Sequence, residues 1–471
     1  MSQPILPQAN LTGQAKLDAV TSIINRLGED LEKAHLEQQQ RDAILEELKI
    51  YGRDPRNADP IFTSEGIKIL TKHAFDGSSD STSRGALRVL ANAMLLNPNT
   101  RQIFVNLGYE EKACKKLKND SFDDEFLVSR VLFLTTYNTN IDMVALIQKH
   151  GIAETIAQRL SKHAGLLTDG QSKAPVDPME DMAMNEILRL LFNLTKFCPS
   201  EAPAFAGGIP HIIALLWKQD FSRSKPLDPP FNSLINALLN LKLDDEGVRP
   251  FLYPKDEPKK VAERLIQLLD ASLQVYPDSE LEVLVTPVIG VLLPLHEGAP
   301  DEVKTYIRAS LLPREEDREE VLGRGTSLPS RLLHNSTNPM TPSLRDAISH
   351  LLFDMSDRDA SKFVENVGYG HASGFLFQNN IPMPANAAGG SGAGDAQRPV
   401  NPITGQFVDM EKDVELPEMT EEEKEREAER LFVLFERLKK TGIVDIQNPV
   451  EQAVRSGRFD ELGENRVEEL D

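Results

Sequence analysis

Four stretches of this chain repeat one helical pattern at a nearly regular spacing. They span residues 84–98, 129–136, 186–195 and 232–241. Apolar residues in them follow the i, i+3, i+4, i+7 spacing of an amphipathic helix. Matching places hold Asn92, Thr136, Asn193 and Asn240, which lie 44, 57 and 47 residues apart. A period of about 40–47 residues is typical of armadillo and HEAT repeats, here lengthened by loop insertions.

A repeat of this kind constrains the fold because no single unit can bury its own apolar face. Neighbouring units must stack, and the core then grows in one dimension with each added repeat. Strand-like alternation between turn signals is not evident, and Val283–Leu295 and Leu344–Met355 continue the helical pattern. We therefore predict an all-α, armadillo/HEAT-like superhelical solenoid.

Composition shifts divide the chain into three predicted parts. Residues 1–385 form the solenoid, with an ordered loop or linker predicted at Leu322–Pro342. Residues 386–418, which include a run rich in glycine, form a flexible linker. Residues 419–471 form a helical arm with an acidic tail, in which Thr420 and Glu423 make a capping box. The arm either docks on the end of the solenoid or lies across a partner.

The charge balance argues against nucleic acid as a partner. The formal net charge is -21, whereas a phosphate-binding surface needs clustered Lys and Arg. Two distant cysteines, Cys114 and Cys198, suggest a reducing compartment and neither a disulfide framework nor a zinc site. The N-terminus resembles no signal peptide, and the most apolar stretch, Val283–Leu295, is too short to span a bilayer. We expect a monomeric cytoplasmic protein.

No constellation of residues points to chemical catalysis. The glycine-rich run lacks the ending of a phosphate loop, and it follows no strand. His296 and Glu297 are adjacent, but no third group accompanies them. We therefore predict no catalytic residue, no metal and no cofactor.

Recurring asparagines give a stronger indication of binding. Asn92, Asn193, Asn236 and Asn240 could line one face of the stack, where an amide can both donate to and accept from the backbone of a bound segment. Alternatively, they cap loops or bond between packed helices, because buried amides need partners. Basic residues nearby could pair with carboxylates of a bound segment or be ordinary solvated charges; they are Lys49, Arg53, Arg88, Arg130 and Arg189. Lys49 and Arg53, four residues apart, should share a helix face.

Four motifs, in this order, resemble the synembryn family. They are Leu322–Leu333, Phe363–Phe375, Val400–Gly405 and Met419–Leu438. The helices that carry Asn92, Asn193 and Asn240 are similar as well, so the resemblance covers roughly residues 40–450.

This resemblance implies a function. Synembryns are armadillo/HEAT solenoids that assist folding of heterotrimeric G-protein alpha subunits and promote GDP release from them. The C-terminal helix of the alpha subunit binds in the concave face, and the synembryn's C-terminal arm reaches the GTPase domain. By this resemblance the groove residues are Lys49, Arg53, Arg88, Asn92, Arg130, Asn193 and Asn240, and those of the arm are Leu431, Phe435 and Leu438. The alternative is an armadillo-type adaptor that holds an extended cargo peptide.

Overall fold

The described part of the chain is helical. The computed structural model describes residues 11–77, 79–166, 178–384, 398–401 and 403–411, and residues 420, 426 and 430 individually. In these residues we find 20 α-helices, and two isolated bridges in place of strands. The chain divides into two units, Met1–Met410 and Glu411–Asp471, and all of these helices belong to the first. The predicted all-α fold class is confirmed.

The helices follow one another with short connections. In chain order they are α1 Gly13–Lys33, α2 Gln38–Tyr51, α3 Ser64–Phe75, α4 Asp80–Leu96, α5 Asn99–Asn106, α6 Glu110–Leu117, α7 Phe122–Thr135, α8 Met143–Gln148, α9 Ile152–Leu166, α10 Pro178–Phe197, α11 Ile209–Lys218, α12 Phe231–Leu239, α13 Arg249–Leu252, α14 Lys260–Val275, α15 Asp278–Gly298, α16 Asp301–Leu311, α17 Leu328–Asn335, α18 Pro342–Met355, α19 Ala360–Val367 and α20 Tyr369–Gln378.

Seven of these helices form a central row in which each packs against the next. The row consists, in order, of α2, α4, α7, α10, α12, α15 and α18. Other helices, among them α3, α9, α11 and α14, pack against the row and against their own neighbours. A continuous apolar core runs along this stack from Val20 to Leu376. Such nearest-neighbour packing is that of a solenoid, as the spacing of the repeats predicts.

Local signals fix where a row helix begins and how it meets the previous one. The Ser121 hydroxyl accepts a hydrogen bond from the Asp124 amide and so caps α7. The Asp124 carboxylate in turn accepts from Nε of Arg84 on α4, at 2.9 Å. Burial acts to raise the pKa of Asp124, but hydrogen bonds from Arg84 and Asn119 outweigh it and leave this pKa lowered. Asp124 therefore stays ionised and ties α4 to α7.

Helix α15 extends beyond the apolar stretch Val283–Leu295 that predicts it. It has 21 residues and continues through Pro287 and Pro294. By length and composition alone, it is the one described helix that could cross a membrane. Its buried residues, which include Val285 and Leu292, belong to the core, and the helix packs against α12, α14 and α18. This packing is that of a core helix of the solenoid.

The predicted loop at Leu322–Pro342 contains a helix, so that prediction is wrong in part. Helix α17 begins after Ser327, whose hydroxyl accepts from the Ser330 amide, and Pro329 lies in its first turn. Leu332 and Leu333 on α17 are fully buried. Capping and core contacts therefore form a helix of eight residues in a stretch rich in glycine, serine and proline.

Part of the predicted flexible linker, residues 386–418, is packed against the solenoid in the structure. Residues 398–401 and 403–410, which we call the strap, lie against the solenoid as part of the first unit. The Phe407 amide donates to the Arg318 carbonyl at 2.8 Å, and the Arg318 guanidinium donates to the Gly405 carbonyl at 3.0 Å. The solenoid therefore includes chain beyond the predicted boundary at residue 385.

Candidate partner-binding face

One side of the central row is left uncovered by its neighbours. Along α4, α7, α10 and α12, exposed or half-exposed residues recur every three or four positions, as one face of a helix requires. This row face consists of Arg88, Asn92 and Leu95 on α4, Arg130 and Phe133 on α7, Arg189 and Phe192 on α10, and Asn232, Asn236 and Leu239 on α12. Basic, amide and apolar groups thus share one surface that continues over four helices.

The row face holds a cavity of about 170 Å³ between α7, α10 and α12. Its wall includes the apolar or aromatic side chains of Phe133, Tyr137, Leu188 and Phe192. Its polar lining consists of Arg189, Asn193, Asn232, Ser233 and Asn236. The cavity therefore brings together two of the predicted asparagines, and its mixed lining suits an apolar side chain with adjacent polar groups.

Asn193 bonds between helices. It is only 1% exposed, and its amide nitrogen donates to the Thr136 hydroxyl at 2.7 Å. The Tyr137 hydroxyl donates to its carbonyl oxygen at 3.3 Å. These contacts join α10 to the end of α7, so Asn193 fits the packing interpretation that the sequence left open, while its edge still lines the cavity.

The other asparagines differ in their surroundings. Asn240 directly follows α12, and its amide nitrogen lies 3.5 Å from the Phe192 carbonyl oxygen of α10. Asn92 and Asn236 are half-buried, and neither makes a side-chain hydrogen bond to another residue of the described ranges. Asn92 and Asn236 are therefore the asparagines best placed to bond a partner.

The predicted arginines of the row face form ion pairs across or along the row. Arg88 donates to Asp123 of the next row helix at 2.8 Å. Arg130 donates to Glu186 of α10 at 2.8 Å, and Arg189 donates to the same oxygen at 2.9 Å. These bonds hold each guanidinium group at the surface with a defined orientation.

Lys49 and Arg53 lie apart from the cavity, at the first helix of the row. Helix α2 ends at Tyr51, and Gly52 caps it, so Arg53 lies in the following turn and is exposed. The prediction that the two residues share a helix face is therefore wrong. Lys49 pairs with Glu46 of its own helix at 2.5 Å.

Sequence reasoning missed the aromatic wall of the cavity. Phe133 and Tyr137 lie four residues apart, and their rings meet edge to face at 5.2 Å. Tyr137 also meets Phe197 of α10 edge to face at 6.1 Å. Asn232 likewise precedes Asn236 by four residues. The four-residue spacing of these side chains was the available signal, but alone it does not separate a surface stripe from a core stripe.

The remaining residues that the sequence analysis considered do not belong to the row face. His296 is buried, and its Nδ1 lies 2.7 Å from Asp354 of α18. Among residues that the structure describes, no cluster of three or more His, Cys, Asp or Glu side chains could hold a metal ion. The predicted arm residues Leu431, Phe435 and Leu438 lie outside the described ranges.

Comparison with known proteins gives consistent matches over most of the chain. Residues 44–458 match the family model described as guanine nucleotide exchange factor synembryn. A synembryn-like chaperone of Schizosaccharomyces pombe is 26% identical over 391 residues, covering 77% of this chain and 72% of that protein. The chaperone Ric-8A of Xenopus tropicalis is 26% identical over 455 residues, covering 85% and 82%.

Two solved structures of engineered proteins also match. One has a TM-score of 0.40 and 17% identity, covering 59% of this chain and 97% of its own. The other has a TM-score of 0.44 and 14% identity, covering 78% and 89%.

Proposed function

We propose, from the premise that the chain belongs to the synembryn family of guanine nucleotide exchange factors, that it binds heterotrimeric G-protein alpha subunits. In this proposal it assists their folding and promotes release of their GDP, without carrying out a chemical step. The names of its relatives, chaperone Ric-8A and synembryn-like chaperone, support the folding role.

The observation that carries the proposal is the continuous row face over α4, α7, α10 and α12, with its cavity of about 170 Å³. A helix from a partner can place apolar side chains against Phe133 and Phe192. Its polar groups can meet half-buried Asn92 and Asn236. Recognition of this kind buries an amphipathic helix in a groove. The segment we propose for this face is the C-terminal helix of the alpha subunit.

Exchange then follows from a difference in affinity between two conformations. If the solenoid holds the C-terminal helix away from the rest of the alpha subunit, it binds the open conformation better than the closed, GDP-bound one. A protein that binds one conformation better shifts the population toward it. GDP leaves the open conformation more readily, and no side chain of the solenoid has to reach the nucleotide. A preference for incompletely packed alpha subunits also suits a chaperone.

The direct test measures release of a fluorescent GDP analogue from a purified alpha subunit. We expect faster release in the presence of the full-length protein and a stable complex with the nucleotide-free alpha subunit. No acceleration and no such complex would favour the alternative function, an adaptor that holds an extended cargo peptide. As a control, Lys115→Ala changes an exposed residue of α6, outside the row, and should leave the release rate unchanged.

We propose that the arm at residues 419–471, with Leu431, Phe435 and Leu438, contacts the GTPase domain. Deleting Thr420–Lys440 should then slow GDP release more than it weakens binding of an isolated peptide that copies the C-terminal helix of the alpha subunit. We expect this difference because the tethered arm adds a second contact to the whole alpha subunit. An isolated peptide makes only the contact with the row face, which the deletion leaves unchanged. Equal losses in both measurements would contradict separate roles for the arm and the row face.

A further inference from the structure

Two prolines leave helix α15 with backbone carbonyl groups that have no helical partner. Pro287 and Pro294 lie inside the helix, and both are half-exposed. Because proline has no backbone N–H, it cannot donate to the carbonyl four residues earlier, which is that of Val283 or of Gly290. No backbone N–H from elsewhere in the described residues donates to either carbonyl. Helix α15 therefore presents two backbone acceptors that a ligand can use.

The side of α15 that carries these groups continues the row face. Its exposed or half-exposed residues recur every three or four positions; we call Val283, Pro287, Gly290, Pro294 and Glu297 the α15 face. A Cβ atom added at Gly290 would lie 2.6 Å from Cδ1 of Leu239, which belongs to the row face on α12. A partner bound on the row face can therefore extend over α15.

A second cavity, of about 330 Å³, lies between α15, α18 and α20. Its apolar wall includes Leu293 of α15 and the rings of Phe353 and Phe375. Its polar lining consists of His350, Asp354, Arg358 and Asn379. A cavity of this size and lining suits a long side chain that has an apolar stem and a polar head.

Two carboxylates at this cavity share one guanidinium group. Arg358 donates to Asp354 at 2.9 Å, and it also pairs with Glu297 of the α15 face. Nδ1 of His296 lies 2.7 Å from Asp354, but burial lowers the pKa of His296, so its ring is neutral near pH 7. These two carboxylates and one guanidinium group therefore keep a negative charge. The Glu297 side chain is 44% exposed and can accept from a further donor.

The turn that carries Arg358 has a strained backbone. Asp357 and Arg358 have φ angles of +58° and +57°, a left-handed conformation that residues other than glycine rarely adopt. The Arg358 amide donates to the Phe353 carbonyl at 3.0 Å, which holds the turn against the end of α18. Strain of this kind is common at binding sites, where the surrounding structure maintains it. Here it keeps the guanidinium group beside both carboxylates.

We propose that the α15 face and this cavity bind a basic side chain of the alpha subunit, from a segment other than its C-terminal helix. The apolar stem of the Lys or Arg packs on Phe353 and Phe375, and its charged head meets Glu297 and the Gly290 carbonyl. Carboxylate and carbonyl oxygens beside aromatic rings favour a cation over an anion. The inference rests on the proposed function, because it takes the alpha subunit as the partner.

The test compares two ligands of the full-length protein. Biolayer interferometry measures its affinity for a nucleotide-free alpha subunit, and fluorescence anisotropy its affinity for the isolated C-terminal peptide. Glu297→Gln keeps an acceptor for Arg358 but removes the negative charge. It should weaken binding of the alpha subunit by about threefold to fivefold at low salt, and by less at about 0.5 M salt, where charges are screened. Binding of the peptide should not change.

The matched control for this charge is Glu302→Gln. Glu302 is an exposed residue of α16 that pairs with Lys259, away from the α15 face. This substitution also removes one exposed carboxylate, and it should change the affinity for neither ligand.

Pro294→Ala tests the backbone carbonyl separately from charge. Alanine supplies an N–H that can donate to the Gly290 carbonyl, so this acceptor is no longer available to a ligand. We expect about threefold weaker binding of the alpha subunit at both salt concentrations, and a thermal unfolding midpoint no lower than that of wild type. Pro300→Ala is the control, because Pro300 precedes α16 as its N-cap and should affect no carbonyl of the α15 face.

Two kinds of result would contradict this inference. Unchanged binding of the alpha subunit in either Glu297→Gln or Pro294→Ala, or equal losses for the subunit and the peptide, would overturn it and leave the proposed function intact. Failure of the wild-type protein to bind either the subunit or the peptide would overturn the proposed function, and this inference with it.

Discussion

At the scale of single residues, Asn193 and Asn236 separate two roles that look alike in the sequence. Asn193→Ala should lower stability by about 1–3 kcal/mol, because it removes a buried amide that bonds the buried Thr136 hydroxyl and the Tyr137 hydroxyl and so joins α10 to the end of α7. Chemical unfolding by urea, followed by circular dichroism, measures this loss as a lower midpoint.

Asn236→Ala is the matched substitution on the same face. Its side chain makes no hydrogen bond to other residues of the described part, so its removal should change stability by no more than about 0.5 kcal/mol. It should instead weaken binding of the peptide that copies the partner's C-terminal helix. If Asn193→Ala left stability intact while Asn236→Ala lowered it, the assignment of the two roles would be reversed.

The sequence predicts that asparagines recur along the stack, but not which of them faces outward. Neighbouring positions on a helix are about 100° apart, so Phe192 faces the surface while Asn193 turns toward α7. The aromatic wall could not be predicted either, because Phe133 has the spacing of a core residue. Only the way in which α7 packs against α10 leaves its side chain partly uncovered.

At the scale of elements, the strap is a segment whose packing the local sequence pattern does not predict. Arg318 and Gly405 are 87 residues apart, and their bond forms beside α19 and α20: Arg318 also donates to the Glu365 carbonyl, and the Gly370 amide donates to the Ile403 carbonyl. A short polar stretch next to a glycine-rich run has the composition of a linker whether or not it finds such partners. The row helices from α4 to α18, by contrast, carry their periodicity in the local sequence, which predicts them as helices.

Gly405 gives a test of the strap. Its φ is +68°, and a Cβ atom there would overlap Cδ1 of Leu322. Gly405→Val should therefore detach the strap, because the backbone conformation and the space both exclude a side chain. Hydrogen exchange should then accelerate at the amide of Leu322, which donates to Thr404, and at that of Phe407, which donates to Arg318.

Gly374→Ala serves as the control for this experiment. Gly374 lies on α20 with no atom within 4 Å of an added Cβ. The substitution should leave exchange in the strap unchanged and stabilise α20 slightly. Unchanged exchange at Leu322 and Phe407 in Gly405→Val would show that the strap does not depend on this close contact.

At the scale of the whole molecule, histidines that are buried or half-buried at several places along the stack make stability depend on pH. Burial lowers the pKa of His73, of His296 and of His371 below the usual value. The unfolded chain then binds more protons than the folded one as the pH falls through about 6.5. At higher pH these histidines are neutral in both the folded and the unfolded chain, so they do not lower the free energy of unfolding. On acidification they lower it progressively.

Thermal unfolding between about pH 7.5 and pH 5.5 measures this destabilisation. Over the same range the protein loses negative charge, which acts on stability in the opposite direction. His296→Gln should reduce the acid-induced drop in the unfolding midpoint relative to wild type. His350→Gln, at an exposed residue of α18, should not. An equal drop in all three proteins would contradict a contribution from His296.

The central claim is that the face of α4, α7, α10 and α12 holds the C-terminal helix of an alpha subunit. The most direct measurement places a photo-crosslinking amino acid at Phe133, at Phe192 or at exposed Lys115 of α6, and then maps the crosslinked peptide by mass spectrometry. We predict crosslinks to the C-terminal helix of the alpha subunit from positions 133 and 192, and none from position 115. Crosslinks from position 115 alone, or none from the row face in a complex that forms, would contradict the claim.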